Sequence, residues 1–130
     1  MAKRPIAWYK YVELEMYRDK CVPQFSPWGK AKCDELYVLQ WQEEHEHFGS
    51  WLGFIAIDNG VVHYAYLKKK YRGKGAGFLM YEFTMLMRGE LKTYYSAASE
   101  DAKKVWNQLK NKYQYKKEKT HIIILPKLKK

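Results

Sequence analysis

The dipeptide Asn59-Gly60 lies between two runs rich in apolar, β-branched and aromatic residues, "SWLGFIAID" before it and "VVHYAYL" after it. A tight two-residue connection between paired strands needs positive φ angles, which asparagine and glycine tolerate, so the stretch reads as a β-hairpin. The second strand runs from Val61 to about Lys68 and leads straight into "KKKYRGKGAGF". The eleven residues from Lys68 to Phe78 contain five cations and three glycines. After Gly77, Phe78, Leu79, Phe83, Leu86 and Met87 recur at three- and four-residue spacings, and Gly89 stands where a C-terminal helix cap belongs. The order strand, glycine turn, helix constrains the rest of the chain, because a strand that follows such a helix can return parallel to the first.

Further along, "LKTYYSAA" reads as that returning strand. "SEDAKKVWNQLKNK" reads as a helix with Ser99 as N-cap, acids in its first turn and lysines in its last. "YQYKKEKTHIIILPKLKK" closes the chain as strand, turn and strand. Near the start, Ile6, Tyr9, Val12, Leu14 and Met16 fall loosely at helical spacing, and the two prolines of "VPQFSPWG" interrupt whatever precedes them. "KCDELYVLQW" suits a short helix or a strand equally. With no internal repeat and no Ser/Pro-rich linker, the 130 residues are expected to form one α+β domain, a mixed sheet flanked by helices.

Glycines at a helix start let backbone N–H groups approach a ligand closely, and those orphan donors together with the helix dipole favour a phosphate or pyrophosphate. Gly73, Gly75 and Gly77 fit neither the Walker A spacing nor the Gly-x-Gly-x-x-Gly dinucleotide fingerprint. Charge points the same way. Residues 1–60 carry 7 Lys+Arg against 9 Asp+Glu (net −2), whereas residues 61–130 carry 17 against 5 (net +12), together the +10 of the whole chain. A basic half of this size suggests an anionic partner.

The motif Arg72-Gly73-Lys74-Gly75-Ala76-Gly77 resembles the Arg/Gln-x-x-Gly-x-Gly/Ala signature of the GNAT superfamily of acetyl-CoA-dependent N-acetyltransferases, and it occupies the family's position between a strand and a helix. Leu67 stands five residues ahead of Arg72, where the family commonly has valine. "YYSAASEDAKKVWNQL" is similar to the next strand and helix, with Ser99 in the place usually held by asparagine and Ala102 at the alanine. The resemblance covers about residues 50–125, the expected cofactor-binding core, and leaves residues 1–49 as a divergent acceptor-side region. A looser likeness is to the small GNAT-like proteins of bacteriophages. The resemblance implies a GNAT-like acyl-CoA N-acyltransferase fold with a mostly antiparallel sheet. It implies a central strand splayed from its neighbour, so that backbone groups near Ala65 and Leu67 pair with the pantetheine arm of acetyl-CoA. Amides from Arg72 to Gly77, with Ser99 nearby, would bind the rest of the cofactor.

Aminolysis of a thioester needs a neutral amine, and an acid commonly protonates the departing thiolate. His63, on the central strand with the facing parity of the family's usual carboxylate, is the candidate base. The family's tyrosine acid would fall four residues after Ala102, where this chain has Trp106, and an indole cannot serve. Tyr113, or Tyr115, is the candidate replacement. The acceptor would be an amine on a protein, a small molecule or an aminoacylated RNA. The alternative is a catalytically silent GNAT-fold binding protein that docks nucleic acid or a partner protein through its basic half. Lys110 to Lys130 contains eight Lys and one Glu interleaved with Tyr113 and Tyr115, a pattern suited to gripping a nucleic-acid backbone and stacking bases. His45 and His47 lack a third ligand, so no metal is expected, and Cys21 and Cys33 read as reduced thiols. No apolar run approaches the roughly 20 residues a bilayer demands, and the expected compartment is the cytoplasm.

Overall fold

The computed structural model describes residues 12–18, 34–41, 51–73, 75–95 and 98–129. The expectations for Ile6, Tyr9, Cys21, Cys33, the proline-rich stretch, His45, His47 and Lys74 lie outside these. The described residues form a seven-stranded sheet with two helices, an α+β architecture. The strands are β1 (Val12–Arg18), β2 (Glu35–Trp41), β3 (Trp51–Asp58), β4 (Val61–Leu67), β5 (Leu91–Tyr94), β6 (Tyr113–Lys117) and β7 (His121–Leu128). The helices are α1 (Ala76–Arg88), between β4 and β5, and α2 (Glu100–Lys112), between β5 and β6. The order across the sheet is β1-β2-β3-β4-β5-β7-β6, antiparallel throughout except for the parallel pair β4 and β5. No helix among the described residues is long and apolar enough to cross a membrane.

Local chemistry accounts for most boundaries. Asn59 (φ 52°) and Gly60 (φ 80°) both adopt the left-handed conformation in the β3–β4 turn, as their sequence predicts. Gly89 ends α1 at φ 93° with its N–H donating to the Met85 carbonyl. At α2 the Ser99 hydroxyl oxygen accepts from the Ala102 N–H at 3.2 Å, with Glu100 and Asp101 in the first turn. The N-terminal expectation needs correction. Residues 12–18 form a strand, not a helix, paired antiparallel with β2 from Val12 opposite Trp41 to Arg18 opposite Glu35. Val12 is buried and the half-buried Leu14 packs on the same core, so an alternation of period two outweighs the looser three-residue spacing. The ambiguous stretch at 35–41 is likewise a strand.

The main core lies between the sheet and the two helices. Leu39, Leu52, Ile55, Ile57, Leu91 and Ile124 of the strands meet Met80 and Met85 of α1 and Trp106 and Leu109 of α2. Trp106 is fully buried, edge-on to Tyr81 with ring centroids 5.4 Å apart. One glycine here is fixed by space rather than by backbone angle. A Cβ on Gly53 would stand 2.5 Å from the Tyr66 carbonyl oxygen and 3.0 Å from both Leu67 Cδ1 and Met80 Sδ. Gly53→Ala is therefore expected to push β3 from the end of β4 and to destabilise the fold by about 1–3 kcal/mol, measured by urea unfolding.

An ion pair closes the other end of α1. Arg88 donates to Glu35 through Nε (3.0 Å) and Nη2 (3.2 Å), and the Tyr37 hydroxyl donates to the same carboxylate. The pairing ties the helix C-terminus to the start of β2 across 53 residues of sequence. Burial, then the hydrogen bond to Glu35, raises the Tyr37 pKa far above the ordinary phenol range, so the group stays a donor.

Candidate functional site

The parallel junction of the sheet is its weakest seam. Of β4 and β5, a single residue pair is in register, Val61 with Lys92, and beyond it no further pairs join the two strands. The β4–β5 ladder therefore ends at the start of β4, and at its other end the Leu67 carbonyl accepts from Arg72 Nε. The strand is also irregular. Ala56 faces Tyr64 and Ile57 faces Val62, which leaves His63 as the extra residue of a β-bulge. His63 is exposed. The bulge interrupts the alternation of β4, so its orientation follows from the bulge and not from the parity argument that singled it out. Such irregularities cluster beside active sites because they re-aim a side chain.

At the end of β4 the chain makes one 3-10 turn (Lys69–Tyr71) and then the glycine loop. Gly73 (φ 76°) and Gly75 (φ 83°) are left-handed, and Gly75 is the N-cap of α1. As a glycine it offers no side-chain cap, and the first turn of α1 holds no acid. The Leu79 N–H donates to the Gly75 carbonyl, so the amides of the first turn of α1 stand at the open, donor end of the helix. Gly77 lies over Leu67 and Val105: a Cβ there would stand 3.9 Å from Leu67 Cδ2 and Val105 Cγ2.

Three cations of the turn lie over aromatic rings. Lys68 Nζ is 4.3 Å from the Trp51 ring, Lys70 Nζ 5.1 Å from Tyr71, and the Arg72 guanidinium 5.6 Å from Tyr66. Arg72 Nε also donates to the Leu67 carbonyl at 2.9 Å. Burial, and secondly the charge of Lys70, lowers the Lys68 pKa, the direction expected where cations gather without an acid between them. Tyr66 to Phe78 contains no Asp or Glu. The turn thus presents positive charge and backbone donors at one helix start, which suits an anion.

The structure brings Leu67, Arg72, Gly73, Gly75, Ala76 and Gly77 together at this corner, with the Ala65 side chain two residues upstream on the helix-side core. Ser99 caps α2, its hydroxyl engaged by Ala102. Tyr113 stands at the opposite end of that helix, about 20 Å away at 1.5 Å per residue. Its hydroxyl donates to Glu82 Oε2 at 2.7 Å, and Lys112 Nζ reaches the same oxygen at 2.6 Å. Glu82 is a buried carboxylate of α1 that the sequence reading passed over; a lone acid inside the apolar run "FLMYEFTML" was its one trace. Burial first, then the bond to Glu82 and its charge, pushes the Tyr113 pKa up to about 12, and burial alone does the same for Tyr81.

A phenol that titrates at about 10 when unfolded and about 12 when folded keeps its proton more tightly in the native state. The associated stability is complete below pH 10 and is lost as the pH climbs toward 12. Denaturant unfolding of this protein is therefore expected to show stability falling above pH 10, by about 1.4 kcal/mol per pH unit for each of the two tyrosines. A flat profile between pH 10 and 11 would contradict the burial of both hydroxyls.

No protein-family model, curated protein or solved structure matches the chain.

Proposed function

We propose that this protein is a GNAT-type N-acetyltransferase that moves the acetyl group of acetyl-CoA to an amine in the cytoplasm. The observation that carries this reading is the junction of β4 and β5. A β4–β5 ladder that stops after the single pair Val61–Lys92, and a glycine-capped helix start that follows β4, support a slot there for the cofactor. A pantetheine arm needs an unpaired strand edge for its amides, and a pyrophosphate needs backbone donors and cations. Support for the second need is that the glycine loop and its cations follow directly from the end of β4.

In this reading the arm runs along β4 past Ala65 and Leu67, and the pyrophosphate meets the amides of Gly73 and Gly75–Gly77 with Arg72 beside it. The acetyl-CoA supplies an activated thioester. The acceptor amine would lose one proton to His63 and attack the carbonyl carbon; the C–N bond would form and the C–S bond break, the thiolate leaving with the electron pair and the amide nitrogen shedding its second proton to water. The bond between Tyr113 and Glu82 engages that phenol's proton in the packing of α1 against α2. The thiolate accordingly departs without Tyr113 and takes its proton from solvent.

The test is direct. Titration of acetyl-CoA into the purified protein followed calorimetrically should show one site per chain, and mass spectrometry of the native protein should reveal co-purified coenzyme A. Absence of both would refute the reading.

A further inference from the structure

Away from the β4–β5 slot, tyrosine rings and lysine ammonium groups alternate across α2, β6 and the end of β7. Lys110 Nζ lies 5.4 Å from the Tyr95 ring and 5.1 Å from the Tyr115 ring. Lys129 Nζ stands 5.0 Å from Tyr115, and Lys103 Nζ 5.9 Å from Tyr95. Tyr115 is 38% exposed on β6, an outer strand of the sheet. Residues 100–129 hold nine lysines against Glu100, Asp101 and Glu118, and no arginine follows Arg88.

We propose that this strip binds single-stranded RNA without sequence preference, with phosphates at Lys103, Lys110 and Lys129 and a base stacked on Tyr115. Each lysine that rests on a ring can swing to a phosphate and uncover the ring for a base. Lysine supplies point charge but lacks the planar fork that reads base edges, so the strip grips backbone and not sequence. Lysines on an outer strand also guard against edge-to-edge pairing, which accounts for Lys116 and Lys117 on β6. That role does not call for exposed tyrosine between cations, nor for the cations of α2. The exposed face of α2 adds the neutral amides Asn107, Gln108 and Asn111, groups able to meet a 2′-hydroxyl, which favours RNA over DNA.

Fluorescence anisotropy with a labelled 15-nucleotide oligo-uridine tests the proposal on the full chain. Three phosphate contacts on a single strand give a log–log salt slope of about −2, so binding should weaken roughly 20-fold between 50 and 200 mM salt. Lys110→Gln with Lys129→Gln should flatten that slope to about −0.7. Tyr115→Leu should weaken binding about tenfold at an unchanged slope, and oligo-deoxythymidine should bind less tightly than oligo-uridine. Circular dichroism would establish that each variant is folded. No anisotropy change at 50 mM salt overturns the proposal. So does full affinity in Tyr115→Leu, which would reduce the strip to a field of charge, and so does DNA binding equal to or tighter than RNA. The slot is separate: Gly75→Val should keep RNA binding whatever it does to acetyl-CoA.

Discussion

Gly75→Val is expected to abolish detectable acetyl-CoA binding. Gly75 caps α1 at φ 83° and sits at the centre of the donors that would face the diphosphate. A β-branched side chain is disfavoured at that angle by about 1–2 kcal/mol and would also stand between the amides and the ligand. Gly89, the C-cap of the same helix at φ 93°, supplies the control, because Gly89→Val carries comparable backbone strain at the far end of α1. Both variants should lose similar stability in urea, and only Gly75→Val should lose the calorimetric signal. Equal acetyl-CoA affinity in the two variants would remove the loop from the site.

The second large effect is kinetic. His63→Gln should lower acetyl transfer by about 10²–10⁴ while leaving acetyl-CoA affinity unchanged, since the cofactor would be held by backbone amides and by cations of the loop. His63 is exposed at the bulge, so the change should cost little stability and the comparison is between folded proteins. Full turnover in His63→Gln would transfer the deprotonation to water. A wild type that binds acetyl-CoA tightly yet acetylates no amine in a broad panel would favour the silent binding protein.

Where a structural device is written in consecutive residues, the sequence was enough to find it. Asn59-Gly60 announces its turn, Ser99 its cap and Gly89 its helix stop, because each depends on backbone angles or bonds within four residues. Devices that depend on a partner strand were hidden. The need for glycine at 53 arises only when the Tyr66 carbonyl arrives beside it, and the bulge at His63 exists only relative to β3. The Arg88–Glu35 pair joins residues whose neighbours in sequence give no hint of each other. Residues 12–18 form a strand because Val12, Leu14 and Met16 alternate, while the pattern that includes Ile6 and Tyr9 suggests a helix. The glycine loop is legible in consecutive residues, while the single-pair junction of β4 and β5 exists only once the two strands meet.

A sheet joined at one bridge between β4 and β5 is two ribbons sharing a hinge. β1 to β4 form an antiparallel meander, with the described Asn59-Gly60 turn joining β3 to β4, and β5, β7 and β6 form a second unit; the seam between them carries a single pair of residues, with α1 packed against strands of both. Each ribbon has its own ladder and can open as its own cooperative unit. Amide exchange should therefore be fast along the β5-facing side of β4 beyond Val61 and slow in the ladders on either side. A molecule lodged in the slot would bond to one ribbon and press against the other, so its binding should slow exchange in both at once. Occupancy would then be felt as far away as β6, making the seam a route by which the two ribbons sense a common guest.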